Sequence, residues 1–142
     1  MAAGPPPTAR PNPSVRTRLN EPVSAVLECE LPVIAAVNDP AVGWGMELAI
    51  CADLRIASVR GTFGVLFVKR GPVPDAETFS HLPGIVGMAR AAELMYTGEM
   101  IDAVEAERIG LVPAVVPHDR LLSAPEPWRS ASRSTHRWLC AT

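Results

Sequence analysis

The sequence of 142 residues has few cysteines and no long, uninterrupted apolar run. Its three cysteines, Cys29, Cys51 and Cys140, are odd in number and widely spaced, and no CxxC pair is present. This pattern argues against a disulfide framework and against a metal site. Apolar residues make up 48% of the chain, but acidic residues and Arg55 interrupt the richest stretch, which argues against a membrane-spanning helix. The first residues lack the apolar core of a secretory signal, so we expect a cytoplasmic protein.

Charge is distributed unevenly, although the formal net charge is only −2. Residues 1–20 contain three arginines and no acid, and residues 120–142 contain four arginines and one acid. Neither stretch has a helical pattern of bases, and the first lacks aromatic residues, so nucleic-acid binding is not indicated. Their proline, serine and arginine content predicts disordered flanks over 1–20 and 123–142, around one domain over 21–122.

The middle of the chain alternates helix and strand patterns, which predicts an α/β fold. Glycine, proline and capping residues set the predicted ends. The predicted helices cover 21–30, about 44–52, from Asp75 or Thr78 to about Leu82, 88–96, and from Asp102 to Gly110; the predicted strands cover 33–37, 54–58 and, as an edge strand, 111–116.

The start of the helix predicted over 44–52 carries the strongest indication of chemistry. A helix start leaves unpaired N–H groups at the positive end of the peptide dipole, where an oxyanion is stabilised. Glu47 follows Trp44 by three residues, so its carboxylate and the Trp44 amide can face one pocket. Such a combination is typical of carbonyl activation beside an acid/base. Alternatively, Glu47 only balances the helix dipole and Trp44 is a core anchor.

The stretch from Leu31 to Leu122 resembles the crotonase (enoyl-CoA hydratase/isomerase) superfamily. The matching motifs follow in the family's order. They are Leu31–Asn38 for the strand before the oxyanion turn, Gly43–Ala49 for GGGxELA, Cys51–Ala57 for CDxRIA, Thr62–Gly64 and Gly71–Pro74 for FG and GxxP, and Leu94–Gly98, Ile101–Glu105 and Ala106–Leu111 for the run that ends in GLV.

This resemblance implies a partial crotonase-like β/α spiral of the ClpP/crotonase fold that acts on acyl-CoA thioesters. In that family the thioester carbonyl lies between two backbone N–H groups that stabilise an enolate. One of these groups aligns with Trp44, and Glu47 aligns with a catalytic glutamate. The resemblance assigns further substrate contacts to Gly43, Gly45, Leu66, Phe67 and Asp75.

The resemblance also implies the cofactor and the assembly. Coenzyme A is part of the substrate, no cofactor is bound covalently, and family members form trimer-type homo-oligomers. The pair Lys69 and Arg70 either meets a coenzyme phosphate or lies in a solvated turn. No membrane and no nucleic-acid partner is implied.

Several positions depart from the family pattern. The second hydratase glutamate is replaced by Phe67, so a displaced acid would have to come from Asp75 or Glu77. The A-G-x-D segment that supplies the first oxyanion amide is not found, nor are the helices that cover the acyl pocket. We therefore expect a chain truncated at both ends. It is either an enzyme of acyl-CoA chemistry or a catalytically silent remnant, or a subunit that another chain completes.

Overall fold

Helices and strands alternate along the chain, as predicted for an α/β fold. The computed structural model describes residues 21–71, 76–123 and 137–141. The helices are α1 (Glu21–Leu27), α2 (Trp44–Cys51), α3 (Ala76–Val86), α4 (Met88–Thr97) and α5 (Ala103–Arg108); the strands are β1 (Val33–Val37), β2 (Pro40–Val42), β3 (Leu54–Ser58), β4 (Thr62–Gly64), β5 (Met100–Asp102), β6 (Val115–Val116) and β7 (Arg137–Ala141). Two 3-10 helices cover Leu66–Arg70 and His118–Arg120. No helix in these three ranges is long and apolar enough to cross a bilayer.

Two sheets organise the described residues. The larger sheet has the order β6-β3-β1-β7, and each neighbouring pair is parallel. In the smaller sheet β4 lies between β2, which is parallel to it, and β5, which is antiparallel. Helix α2 connects β2 of the smaller sheet to β3 of the larger one. The start of α2 therefore lies where the chain passes between the sheets.

Strand β1 is buried along its whole length, as its run of small and β-branched residues predicts. Successive side chains point to opposite faces of a strand. Val33, Ala35 and Val37 belong to the main core with residues of α2 to α5. Ile34 and Ala36 form a second cluster with Ile56 and Leu121. Both faces of the sheet are therefore covered.

Two helix boundaries follow the predicted capping chemistry. Gly98 ends α4 in the left-handed conformation, with φ 59°. A Cβ added there would lie 2.8 Å from Cγ1 of Val68, so close packing also favours glycine. The Asp102 side chain accepts a hydrogen bond from the Glu105 amide at 2.8 Å and starts α5.

Other elements differ from the sequence predictions. Strand β2 was not predicted because three residues carry too little periodicity. The predicted edge strand over 111–116 is reduced to Val115–Val116, since Pro113 removes a ladder donor. Strand β7 lies within the tail predicted to be disordered over 123–142; that prediction is wrong for 137–141, where the backbone pairs in register with β1. Residues 1–20 and 124–136 lie outside the described residues.

Arg55 of β3 forms hydrogen bonds to the end of α2 and to the segment after α5. Its Nη1 donates to the carbonyl oxygen of Ala52 at 2.6 Å and, at 3.4 Å, to those of Ala49 and Ile50, all at the end of α2. Its Nε donates to the carbonyl oxygen of Leu111 at 3.0 Å. The last carbonyls of a helix have no partner within it, and a cation also opposes the negative end of the dipole. One side chain thus caps α2 and holds the segment after α5.

We predict that Arg55→Met lowers the free energy of unfolding by about 2–3 kcal/mol, because it leaves partly buried carbonyls without a charged donor. Urea unfolding followed by circular dichroism measures the change. Arg108→Met is the matched control, since the Arg108 side chain is 67% exposed and pairs with the surface carboxylate of Glu105, and we expect a much smaller effect. Equal losses in both variants would show that Arg55 does not anchor the fold.

Candidate functional site

The helix start predicted from the glycines is present at Gly43. This residue precedes α2 with φ 54° and ψ −119°, a backbone conformation that favours glycine. Its amide donates to the carbonyl oxygen of Gly64 in β4 at 3.1 Å, and its own carbonyl accepts from the Glu47 amide at 3.0 Å. The amides of Trp44, Gly45 and Met46 precede that bond and have no acceptor within the helix. The turn therefore presents backbone donors.

A pocket of about 330 Å³ opens in front of this turn. It is lined by Val42, Gly43, Trp44, Leu66, Phe67 and Arg70. The structure thus brings together four of the predicted site residues and adds Arg70 from the pair left open by the sequence. The Trp44 side chain is 60% exposed, so the alternative that it is a core anchor is wrong. Trp44 instead lines the pocket.

Gly45 plays a different part from Gly43. It lies within α2 without a positive φ, and a Cβ added there would meet nothing within 4 Å. Gly45 is not among the residues that line the pocket. Neither backbone strain nor packing within the described residues requires glycine at this position.

Glu47 lies on another side of α2. Its side chain is fully buried, with 0% exposure, and its Oε1 accepts a hydrogen bond from the Thr78 hydroxyl of α3 at 2.8 Å. Among the described residues, the lining of the pocket beside Trp44 does not include Glu47. The predicted pair is therefore on one helix turn, but the carboxylate points into the interface between α2 and α3.

The two alternative acids have different positions. Asp75 lies outside the described residues. Glu77 is in the first turn of α3 and only 9% exposed, directly before Thr78. The start of α3 therefore places a second carboxylate beside the interface that buries Glu47.

The carboxylates of Glu47 and Glu77 both affect the pKa of the Cys51 thiol of α2. Burial, then Glu77, then Glu47 raise the pKa of the Cys51 thiol to about 11, and Arg55 opposes this shift. Cys51 follows Glu47 by four residues, which places both on the same side of α2. Glu47, Glu77 and Cys51 thus belong to one partly buried, negatively charged region.

Sequence reasoning did not find the role of Thr78. Thr78 was considered only as the first residue of a helix, because its partner Glu47 is 31 positions away and no local pattern connects them. Its place opposite Glu47 depends on how α3 packs on α2. In the described ranges, no three His, Cys, Asp or Glu side chains lie close enough together to hold a metal ion.

The comparisons with known proteins agree with this architecture. Residues 7–133 match the family model described as enoyl-CoA hydratase/isomerase. The chain is 47% identical over 94 residues to a probable enoyl-CoA hydratase of Mycobacterium tuberculosis, which is 66% of this chain and 33% of that protein. It is 45% identical over 116 residues to the crotonyl-CoA hydratase of Syntrophomonas wolfei, or 81% and 44% of the two chains.

A solved structure extends the comparison to the fold. The crystal structure of a probable enoyl-CoA hydratase/isomerase from Mycobacterium abscessus matches with a TM-score of 0.72 and 36% identity, over 80% of this chain and 43% of the other. The chain belongs to the enoyl-CoA hydratase/isomerase family and has the predicted crotonase fold in the matched region. It spans less than half the length of these three relatives.

Two glycine substitutions distinguish the backbone roles at the helix start. We predict that Gly43→Ala lowers the free energy of unfolding by about 1–3 kcal/mol, the cost of a side chain in a sparsely populated conformation. Gly45→Ala should instead raise it by up to about 1 kcal/mol, because alanine favours a helix. Urea unfolding of both variants measures the difference, and a loss of stability in both would contradict it.

The Cys51 thiol can report on the buried acids. At pH 9 a thiol with a pKa of 9.0 is half ionised, whereas Cys51 with a pKa of about 11 is only about 1% ionised. We predict that Glu77→Gln or Glu47→Gln speeds alkylation by iodoacetamide at pH 9, since each removes a charge that opposes the thiolate.

Mass spectrometry measures this rate in a background with Cys29→Ser and Cys140→Ser. Glu107→Gln, at an exposed position of α5, is the control and should leave the rate unchanged. If all three variants react alike, the two acids do not act on Cys51.

Proposed function

We propose that this chain binds an acyl-CoA thioester in the pocket beside Trp44 and stabilises its enolate. The observation that carries this proposal is the first turn of α2, whose amides lack acceptors within the helix at the edge of an apolar pocket. Backbone donors fixed in advance stabilise a developing oxyanion without reorganisation. The Trp44 amide is the proposed donor to the thioester oxygen.

The lining of the pocket supports the two ends of such a ligand. Val42, Leu66 and Phe67 are apolar and suit an acyl chain, while Arg70 supplies a cation. A guanidinium binds phosphate through paired hydrogen bonds. We therefore assign Arg70 to a coenzyme A phosphate. The proposal needs no cofactor beyond the coenzyme A of the substrate.

Glu47 is the proposed acid/base. It occupies the family's glutamate position one turn from Trp44, and its hydrogen bond to Thr78 holds the carboxylate in place. Phe67 lines the pocket where the family has a second glutamate. A phenyl group neither holds nor deprotonates water, so movement of a proton between carbons is favoured over addition of water.

A second candidate function is binding without turnover. The complete burial of Glu47 and its absence from the lining of the described pocket favour this alternative. In that case the chain holds acyl-CoA through the turn and Arg70, while Glu47 only supports the contact between α2 and α3.

One pair of matched variants tests these proposals. The wild-type chain, Glu47→Gln and the exposed control Glu107→Gln are assayed with 2-enoyl-CoA and 3-enoyl-CoA by the change in enoyl absorbance, and calorimetry measures acyl-CoA binding. We predict that Glu47→Gln lowers kcat at least about 10²-fold, the contribution of a positioned base. Affinity should stay within about threefold, or 0.6 kcal/mol, because the amide keeps the shape of the carboxylate.

Each outcome separates the candidates. Faster conversion of 3-enoyl-CoA than hydration of 2-enoyl-CoA supports the assignment of Phe67. Binding without turnover supports the second candidate. Turnover that survives in Glu47→Gln but is lost in Asp75→Asn or Glu77→Gln would assign the acid to Asp75 or Glu77 instead. No binding of acyl-CoA would contradict both candidates.

A further inference from the structure

We propose that Thr78 is a positioning residue for the Glu47 carboxylate. The inference rests on the proposed role of Glu47 as acid/base and adds the group that orients it. The Thr78 hydroxyl donates to Oε1 of Glu47 at 2.8 Å, and both side chains are fully buried. Thr78 does not need to touch the substrate for this role, because it acts through Glu47.

The bond joins two helices that pack against each other. Glu47 lies in the first turn of α2 and Thr78 in the first turn of α3, 31 positions further along the chain. Met46 and Ile50 of α2 and Leu82 of α3 belong to the main core, so both helices are anchored in it. The contact between α2 and α3 therefore places one buried hydroxyl opposite one buried carboxylate.

Packing alone does not explain this pair. An apolar pair of the same shape can replace two hydrogen-bonded groups at nearly no cost, whereas a buried carboxylate that loses a hydrogen-bond donor costs stability. Valine has almost the shape of threonine and would fill the same space. The hydroxyl therefore stabilises the buried carboxylate, and the proposed chemistry requires a carboxylate at this position.

The hydrogen bond has two effects on a base. It fixes the plane of the carboxylate, whose terminal torsion is otherwise broad, and it stabilises the charged form. A carboxylate held in one orientation loses less freedom when it takes a proton from the substrate. Thr78 thereby sets the direction in which Glu47 acts.

Three threonine variants test the inference without depending on turnover. Thr78→Val removes the hydroxyl, Thr78→Ser keeps it, and Thr62→Val is the control, because among the described residues the Thr62 hydroxyl has no hydrogen-bond partner. Carbon-13 NMR follows the side-chain carboxyl signal of Glu47, assigned by its loss in Glu47→Gln. The amide spectrum of each variant shows whether it is folded.

We expect the Glu47 signal to shift in Thr78→Val and to stay at the wild-type position in Thr78→Ser and Thr62→Val. In the enoyl-CoA assay, Thr78→Val should lower kcat about tenfold, part of the 10²–10⁴ that a positioned base contributes. KM should stay within about twofold, since ground-state binding does not involve the hydroxyl. Thr78→Ser should restore kcat.

Two results would overturn the inference: an unchanged Glu47 signal in Thr78→Val, or equal losses of kcat in Thr78→Val and Thr78→Ser. If Thr78→Val does not fold, Thr78→Ser decides alone. A Glu47 signal that moves away from the wild-type position in Thr78→Ser would then overturn the inference. Absence of turnover in the wild-type chain would contradict the proposed function, while the NMR comparison would still decide whether Thr78 holds Glu47.

Discussion

The hydrogen bonds that fix both ends of α2 are the constraint on which the rest of the structure depends. At its start the Gly43 amide binds the carbonyl oxygen of Gly64, and at its end Arg55 binds the last carbonyls. Asp53, just beyond the helix, accepts from the Val33 amide at 2.8 Å and ties this end to β1. These bonds attach both ends of α2 to the strands beside it.

Because both ends of α2 are held, two sides of the helix face different surroundings. The first turn meets the pocket through Gly43 and Trp44. The side that carries Glu47 and Cys51 faces the negatively charged region shared with Glu77 of α3. The donors that would stabilise an oxyanion and the carboxylate that would move a proton are thus close in sequence but differently exposed. The proposed chemistry depends on how a ligand spans these two sides.

Family membership does not by itself decide the reaction. The turn, the helix and the strand that follows retain the family pattern, and the fold agrees with solved relatives. Phe67 lies on the pocket wall, and we propose that it takes the place of a family carboxylate, which would change what the pocket can do with water and leave the backbone donors in place. A backbone N–H group remains a donor when the side chain of its residue changes. Proton transfer by a carboxylate is lost when that side chain is replaced by an apolar one.

The sequence by itself determined several of the local elements and the family. The buried strand 33–37, the helix start at Gly43, the cap at Asp102 and the glycine end at Gly98 each depend on residues within a few positions, so periodicity and capping chemistry predict them. Only the tertiary structure decided that Thr78 contacts Glu47, that Arg55 binds the carbonyl oxygen of Leu111 and that 137–141 pairs with β1. These contacts join residues through packing, and no pattern along the chain records which surfaces meet.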